Sequence, residues 1–186
     1  MQGTIFTILS EMVIENMGME CWNDLLNKVS PHSKGVYTSG AQYQDSELVD
    51  MVKELSLQSE LPINTLLSSF GEYMFEKLYE QSPTDLSSLT NLKDFLLAID
   101  SVIHSEVKRV HPNAYLPTFE YHDEGNGDLI LHYYSKRKLC YVAIGLIKGA
   151  AKKFSEEITI LHPVCMHNGS QHCEFIIQFN ERCHDK

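Results

Sequence analysis

Apolar residues in the first half of the chain recur at three- and four-residue steps, the mark of a helix with one buried face. Ile5, Ile8, Leu9, Met12 and Val13 form the first such stripe, and Gly18 is expected to end it. A short helix follows around Trp22, Leu25 and Leu26, stopped by Ser30-Pro31. Residues 31–44 (PHSKGVYTSGAQYQ) read as a loop. Helix resumes over 45–57 through Leu48, Val49, Val52 and Leu55, and again from Pro62 through Leu66, Leu67, Phe70, Met74, Phe75 and Leu78. Pro83-Thr84-Asp85 breaks the pattern, and a long helix is expected over roughly 90–110, with Leu92, Phe95, Leu96, Ile99, Val102, Ile103, Val107 and Val110 on one side.

The period then changes. Residues 118–121 and 129–134 read as strands joined by a turn at Glu124-Gly125-Asn126-Gly127. Residues 139–154 read as a helix in which Gly145 and Gly149, four apart, permit close backbone packing. Residues 157–164 and 173–179 are apolar strands flanking the loop MHNGSQH. Helices followed by β-β-α-β-β imply an α+β fold, an antiparallel sheet with helices on one side.

The chain has 186 residues, enough for one domain with its own core. It is 43% hydrophobic and 22% charged, which argues against disorder. No apolar run reaches the ~18–20 residues of a membrane span. The start, MQGTIFTILSEMVIENMG, lacks the basic flank of a signal peptide, so a cytoplasmic setting is expected. A net charge of −10 opposes phosphate backbones and anionic membranes. The local cluster KRK at 136–138 still suits one small acidic ligand.

Three groups carry candidate chemistry. Tyr133, Ser135 and Arg137 alternate, so on an extended chain they share one face along about 13 Å. They offer donors for neighbouring carboxylates, and Arg grips these in a fork; taken alone, the row also fits an ordinary polar strand face. His104 sits at the edge of the long helix's apolar stripe, where it is either a boundary histidine or a neutral ligand for a metal. In HPVCMHNGSQHC, Cys165 and Cys173 bracket a hairpin loop and His162 lies three residues upstream, a donor set for tetrahedral zinc. Cys140 and Cys183 are candidates for the fourth ligand, with His167, His172 and His184 in reserve. Five cysteines without an export signal favour thiols or metal ligation over disulfides. Nucleophile, phosphate-loop and H-E-x-x-H signatures are missing, so an enzyme is not expected.

Together these motifs resemble the heme nitric oxide/oxygen-binding (H-NOX) domains in their stand-alone bacterial form, over essentially residues 1–186. The resemblance rests on MQGTIF at the start, IHSEV around His104, NAYLPTF with Pro117, YYSKRK as the family's Y-x-S-x-R, and GLIKGAAKKF. It implies a helical subdomain over about 1–60 and a heme-binding α/β subdomain over about 61–186, with heme b between them. His104 would ligate the iron, and Tyr133, Ser135 and Arg137 would hold the propionates. Ile5 and Pro117 would press on the porphyrin, with Ile5, Leu9, Met74, Leu78, Val142 and Leu146 on the distal side. Oxygen-binding members carry a distal tyrosine. Val142 stands at that place here, implying nitric oxide and carbon monoxide binding without stable oxygenation, although Tyr73 and Tyr141 are each one residue from a pocket position.

The resemblance further implies that nitric oxide weakens or breaks the iron–His104 bond. The resulting shift would regulate a separate histidine kinase or cyclic-di-GMP enzyme. Some bacterial members share a cysteine just after Y-x-S-x-R and H-x-x-C-x7-C downstream, which selects Cys140, His162, Cys165 and Cys173 as a zinc site, structural or redox-responsive. The ending VCMHNGSQHCEFIIQF also resembles 4-vinyl-reductase-like modules, which bind small hydrophobic molecules.

Overall fold

The structure, a computed structural model, describes residues 1–82, 84–123, 125 and 127–180. Pro83, Glu124, Asn126, Cys183 and His184, named above for a helix break, a turn or a reserve ligand, lie outside the described residues.

Helix α1 spans Gly3–Val29 but is broken at Gly18, whose φ of 89° and ψ of 163° suit a residue without a side chain. The two apolar runs thus form two helical arms. Ser30 ends the second arm in a left-handed conformation, its N–H bonded to Leu26 O. Helices α2 (Asp45–Ser59) and α3 (Ile63–Glu80) complete the N-terminal half.

The expected long helix is divided. Helix α4 (Leu92–Leu97) is capped by the Asn91 side chain, which accepts from the Asp94 amide. A π-helical turn follows over Ile99–His104, and α5 runs over Ser105–Val110. Ile103 N–H reaches Ala98 O, five residues back, as the wider turn requires. The wider turn shifts the phase of the stripe, so Val102, expected on the buried side, is 39% exposed.

Strands β1 (Thr118–Asp123), β2 (Leu129–Tyr134), β3 (Ile158–Val164) and β4 (Cys173–Phe179) form one antiparallel sheet in the order β1-β2-β4-β3. Helix α6 (Cys140–Lys153) links β2 to β3. Leu129, Leu131 and Tyr133 of β2, with Cys173, Phe175 and Ile177 of β4, point inward to a core shared with α4 and α6. A second core joins α1 and α2 to Leu66, Phe70 and Met74 of α3. Helices α3 and α6 lie between the two cores and pack backbone to backbone. A Cβ on Gly145 would fall 2.0 Å from Ser68 O, and one on Gly71 2.2 Å from Val142 O. No helix among the described residues is long and apolar enough to cross a membrane.

Candidate functional site

A largely apolar cavity of about 590 Å³ opens between the two cores. That is the size range of a cofactor site. Its walls come from elements distant in sequence: Ile5 from α1, Met74 and Leu78 from α3, His104 from the π turn, Pro117 before β1, and Val142 and Leu146 from α6. Ser135 and Arg137 reach it from the segment after β2. Leu9 and Tyr133 do not line it. Leu9 is fully buried in the helical core, and Tyr133 packs between Phe119 and Phe175.

His104 is held by its own element. Its Nδ1 lies 2.6 Å from Asp100 Oδ1, and Asp100 Oδ2 accepts the Phe119 N–H at 2.9 Å. The imidazole also stacks on the Phe119 ring, centroids 5.7 Å apart. Burial lowers the His104 pKa and outweighs Asp100, which pulls the other way, so the ring is neutral near pH 7. With Nδ1 engaged, Nε2 has no hydrogen-bond partner among the described residues. A neutral imidazole with one anchored and one free nitrogen is the form that ligates a metal. Asp100 stands four residues before His104, a spacing that puts them on one helix face, but its bond to Phe119 depends on the fold.

The Tyr-Ser-Arg row is not a straight strand face. β2 ends at Tyr134, and Lys136-Arg137 turn, with Lys138 in the left-handed region at φ 52°. The turn lets Ser135 Oγ accept the Arg137 N–H at 3.2 Å. The Arg137 side chain donates from Nε to Asp45 Oδ2 at 2.7 Å and from Nη1 to Tyr115 O at 2.8 Å, and lies over the Tyr115 ring. Burial pushes the Tyr133 phenol up to about 12, against a hydrogen bond with Ser135.

Tyr73 and Tyr141 do not line the cavity, whereas Val142 does. Tyr79, in the last turn of α3, does line it, set among Phe75 and Phe95 with Lys153 Nζ 4.8 Å above its ring. Sequence reading had not singled it out, because its helical spacing marks it only as core-facing.

A second constellation lies beneath the sheet's inner face. One donor atom from each of Cys140, His162, Cys165 and Cys173 lies within 4.8 Å of all the others. Sγ of Cys165 is 4.0 Å from that of Cys140 and 3.9 Å from that of Cys173, too far for disulfides. Tetrahedral zinc with Zn–S bonds near 2.3 Å places sulfurs about 3.8 Å apart, close to what is found. His162 Nε2 is buried without a partner. Burial, then the neighbouring thiols, push the Cys140 pKa up, and burial raises that of Cys173. A divalent cation would remove that penalty and satisfy the orphaned nitrogen. The donor set therefore fits zinc.

The cavity, with one anchored histidine and basic and hydroxyl groups where the chain turns, has the make of a heme-binding sensor domain. The chain belongs to the Haem-NO-binding family, whose model matches residues 2–162. It is similar to an H-NOX protein from Shewanella oneidensis solved in the Fe(II)NO state, at 34% identity and a TM-score of 0.91, covering 97% of this chain and 100% of that one. It is also similar to an H-NOX domain from the same organism in the Fe(II)CO state, at 35% identity and a TM-score of 0.86, covering 97% and 99%. Among curated proteins it matches soluble guanylate cyclase gcy-32 of Caenorhabditis elegans, 28% identical over 95% of this chain. The chain spans 28% of that relative's length.

Proposed function

We propose that this chain is a nitric oxide sensor that regulates a separate signalling protein, a histidine kinase or a cyclic-di-GMP enzyme. The observation that carries the reading is His104: neutral, anchored through Nδ1 by Asp100 and free at Nε2 on the wall of an apolar cavity. Heme b, when bound, would supply a ferrous iron able to take a diatomic gas. His104 would ligate the iron, and Ser135 and Arg137 would hold the propionates, with Tyr133 behind them bonded to Ser135. Ile5 and Pro117 bear on the porphyrin.

Nitric oxide binding would weaken or break the bond that His104 makes to the iron. Because Asp100 is bonded both to His104 and to the Phe119 amide, a displaced His104 pulls on the first residues of β1 as well as on the π turn. The helical subdomain, residues 1–60, then shifts against residues 61–186. This is a two-state element biased by ligand, as an allosteric account requires. Met74, Val142 and Leu146 themselves offer no hydrogen-bond donor to a bound gas, which would disfavour dioxygen while leaving nitric oxide and carbon monoxide able to bind. Cys140, His162, Cys165 and Cys173 hold zinc as a structural site, and oxidation of its thiolates would release the metal.

The test is the absorption spectrum of the heme-loaded, reduced protein, recorded without oxygen, then with nitric oxide, and separately in air. A Soret band that moves to shorter wavelength with nitric oxide, and no stable oxygen complex in air, is the expected result. Retention of the axial histidine with nitric oxide bound overturns the release step. Failure to take up heme on reconstitution overturns the whole reading and favours a module for small hydrophobic ligands.

A further inference from the structure

The outer face of the sheet carries five side chains that gas sensing does not use. β1 contributes Glu120 and His122, β2 His132, β4 Glu174, and the residue before β4 is His172. Register brings them together. Glu120 pairs with His132, and His132 with Glu174, so three adjacent strands project one row outward. His132 stands in the middle, its ring centroid 4.4 Å from that of His172 and 4.8 Å from that of His122.

The two sides of the His132 ring differ. On one side Nε2 is 3.2 Å from Glu174 Oε2, and one donor atom from each of His132, His172 and Glu174 lies within 4.8 Å of the others. These three residues are all half-buried, so the strands and loop restrict them. On the other side Nδ1 is 3.9 Å from Glu120 Oε2, which is itself fixed by the Tyr134 hydroxyl at 2.8 Å. Two imidazoles and a carboxylate converge, while a second carboxylate faces the unused nitrogen of the central imidazole. Metal-ligating histidines carry an outer acceptor on their other ring nitrogen, and Glu120 is the carboxylate nearest to that nitrogen of His132. Imidazole and carboxylate donors suit the divalent ions from cobalt to zinc, and their open arrangement leaves positions for water.

We infer that the outer sheet face binds one divalent late first-row transition-metal ion through His132, His172 and Glu174, with Glu120 orienting His132. His122 is not a ligand in this assignment, because it and Glu120 are exposed and Glu120 is engaged by Tyr134. The site is separate from the thiol cluster: Cys173 points into the core, and His172, its chain neighbour, belongs to the outer cluster.

The experiment is calorimetric titration of nickel(II) into the heme-loaded protein after one equivalent of zinc(II) has been added to occupy the thiol cluster. One nickel equivalent is expected. H132Q, H172Q and E174Q should each weaken binding at least tenfold, E120Q about tenfold as for an outer-shell carboxylate, and H32Q, at an exposed position elsewhere, not at all. With cobalt(II) in place of nickel(II), the added spectrum should lack sulfur-to-metal charge-transfer bands. An unchanged Soret band and melting temperature in each variant would show that the fold is intact. Absence of nickel binding, or binding that survives H132Q, overturns the site. Loss with H122Q but not with H172Q overturns the ligand assignment.

Discussion

Asp100 bonds His104 Nδ1 through one carboxylate oxygen and the Phe119 amide through the other, at 2.6 and 2.9 Å. One carboxylate therefore ties the π turn to the first inward-facing residue of β1. Asp100→Ala leaves the Phe119 N–H unpaired and frees the imidazole to rotate, and is expected to cost about 1–3 kcal/mol of stability. Asp100→Asn keeps an acceptor and should cost less. In the heme-loaded protein both variants should weaken the iron–histidine stretch in resonance Raman spectra, Ala more than Asn. An unchanged stretch in Asp100→Ala would remove Asp100 from the positioning role.

Arg137 and Asp45 join the segment after β2 to the start of α2. Partial burial would raise the Asp45 pKa, but hydrogen bonds and charge from Arg137 and the Met1 amino group outweigh it and hold the carboxyl below its ordinary range. A depressed carboxylate pKa stabilises the fold at pH values above the unfolded pKa of about 3.9. The contribution is lost as pH falls through the lower, folded value. Asp45 is 44% exposed, so a double-mutant cycle of D45N and R137Q should return at most about 1 kcal/mol. Denaturation curves at low and high salt should show that coupling shrinking with salt.

Gly145 has no room for a methyl group. A Cβ there meets Ser68 O at 2.0 Å and the Gly71 Cα at 2.9 Å, both backbone atoms that cannot swing away. Gly145→Ala must push α6 from α3, an overpacking change of about 1–3 kcal/mol. Because Met74, Leu78, Val142 and Leu146 ride on these two helices, the cavity should widen and heme should dissociate faster from this variant. Heme transfer to a scavenging apoprotein measures that rate.

Val142 is the place to put a distal donor. Val142→Tyr introduces a hydroxyl into a wall made of Met74, Leu146 and neighbouring apolar groups. A single hydrogen bond of about 1–1.5 kcal/mol is worth about five- to tenfold in affinity. The reduced variant should therefore hold oxygen in air about five- to tenfold more tightly than the parent. Equal behaviour of the two proteins would show that Val142 does not face the bound gas.

The thiol cluster should hold one zinc per chain. Cys165→Ser and His162→Ala are expected to abolish it, and the melting temperature should fall in both. Peroxide should release zinc in step with thiol loss, as oxidation removes the ligating thiolates. Full retention of zinc and thiols after peroxide would rule out redox sensing at this site.

Much of the architecture could be read along the chain, because helices and strands here follow the periodicity of their apolar residues. The stripes through Leu48–Leu55 and Leu66–Leu78 became α2 and α3, and the four segments read as strands became the four strands. The Gly145–Gly149 spacing marks the close contact of α6 with α3. What pattern could not supply was the π turn, since an i→i−5 bond leaves no periodic trace over six residues.

The candidate site divides along the same line. Local sequence determined which residues bear chemistry: a histidine at a stripe's edge, an alternating Tyr-Ser-Arg row, and a run dense in Cys and His. Tertiary structure alone decided what those residues meet. Asp100 finds Phe119 nineteen positions away, Arg137 finds Asp45 ninety-two positions away, and His132 is set between Glu120 and Glu174 by strand register. The reason is physical. Periodicity reports which face of an element is buried, and residue type reports what an atom can donate or accept, but the partner of a polar group on a helix or strand is chosen by how separate elements pack.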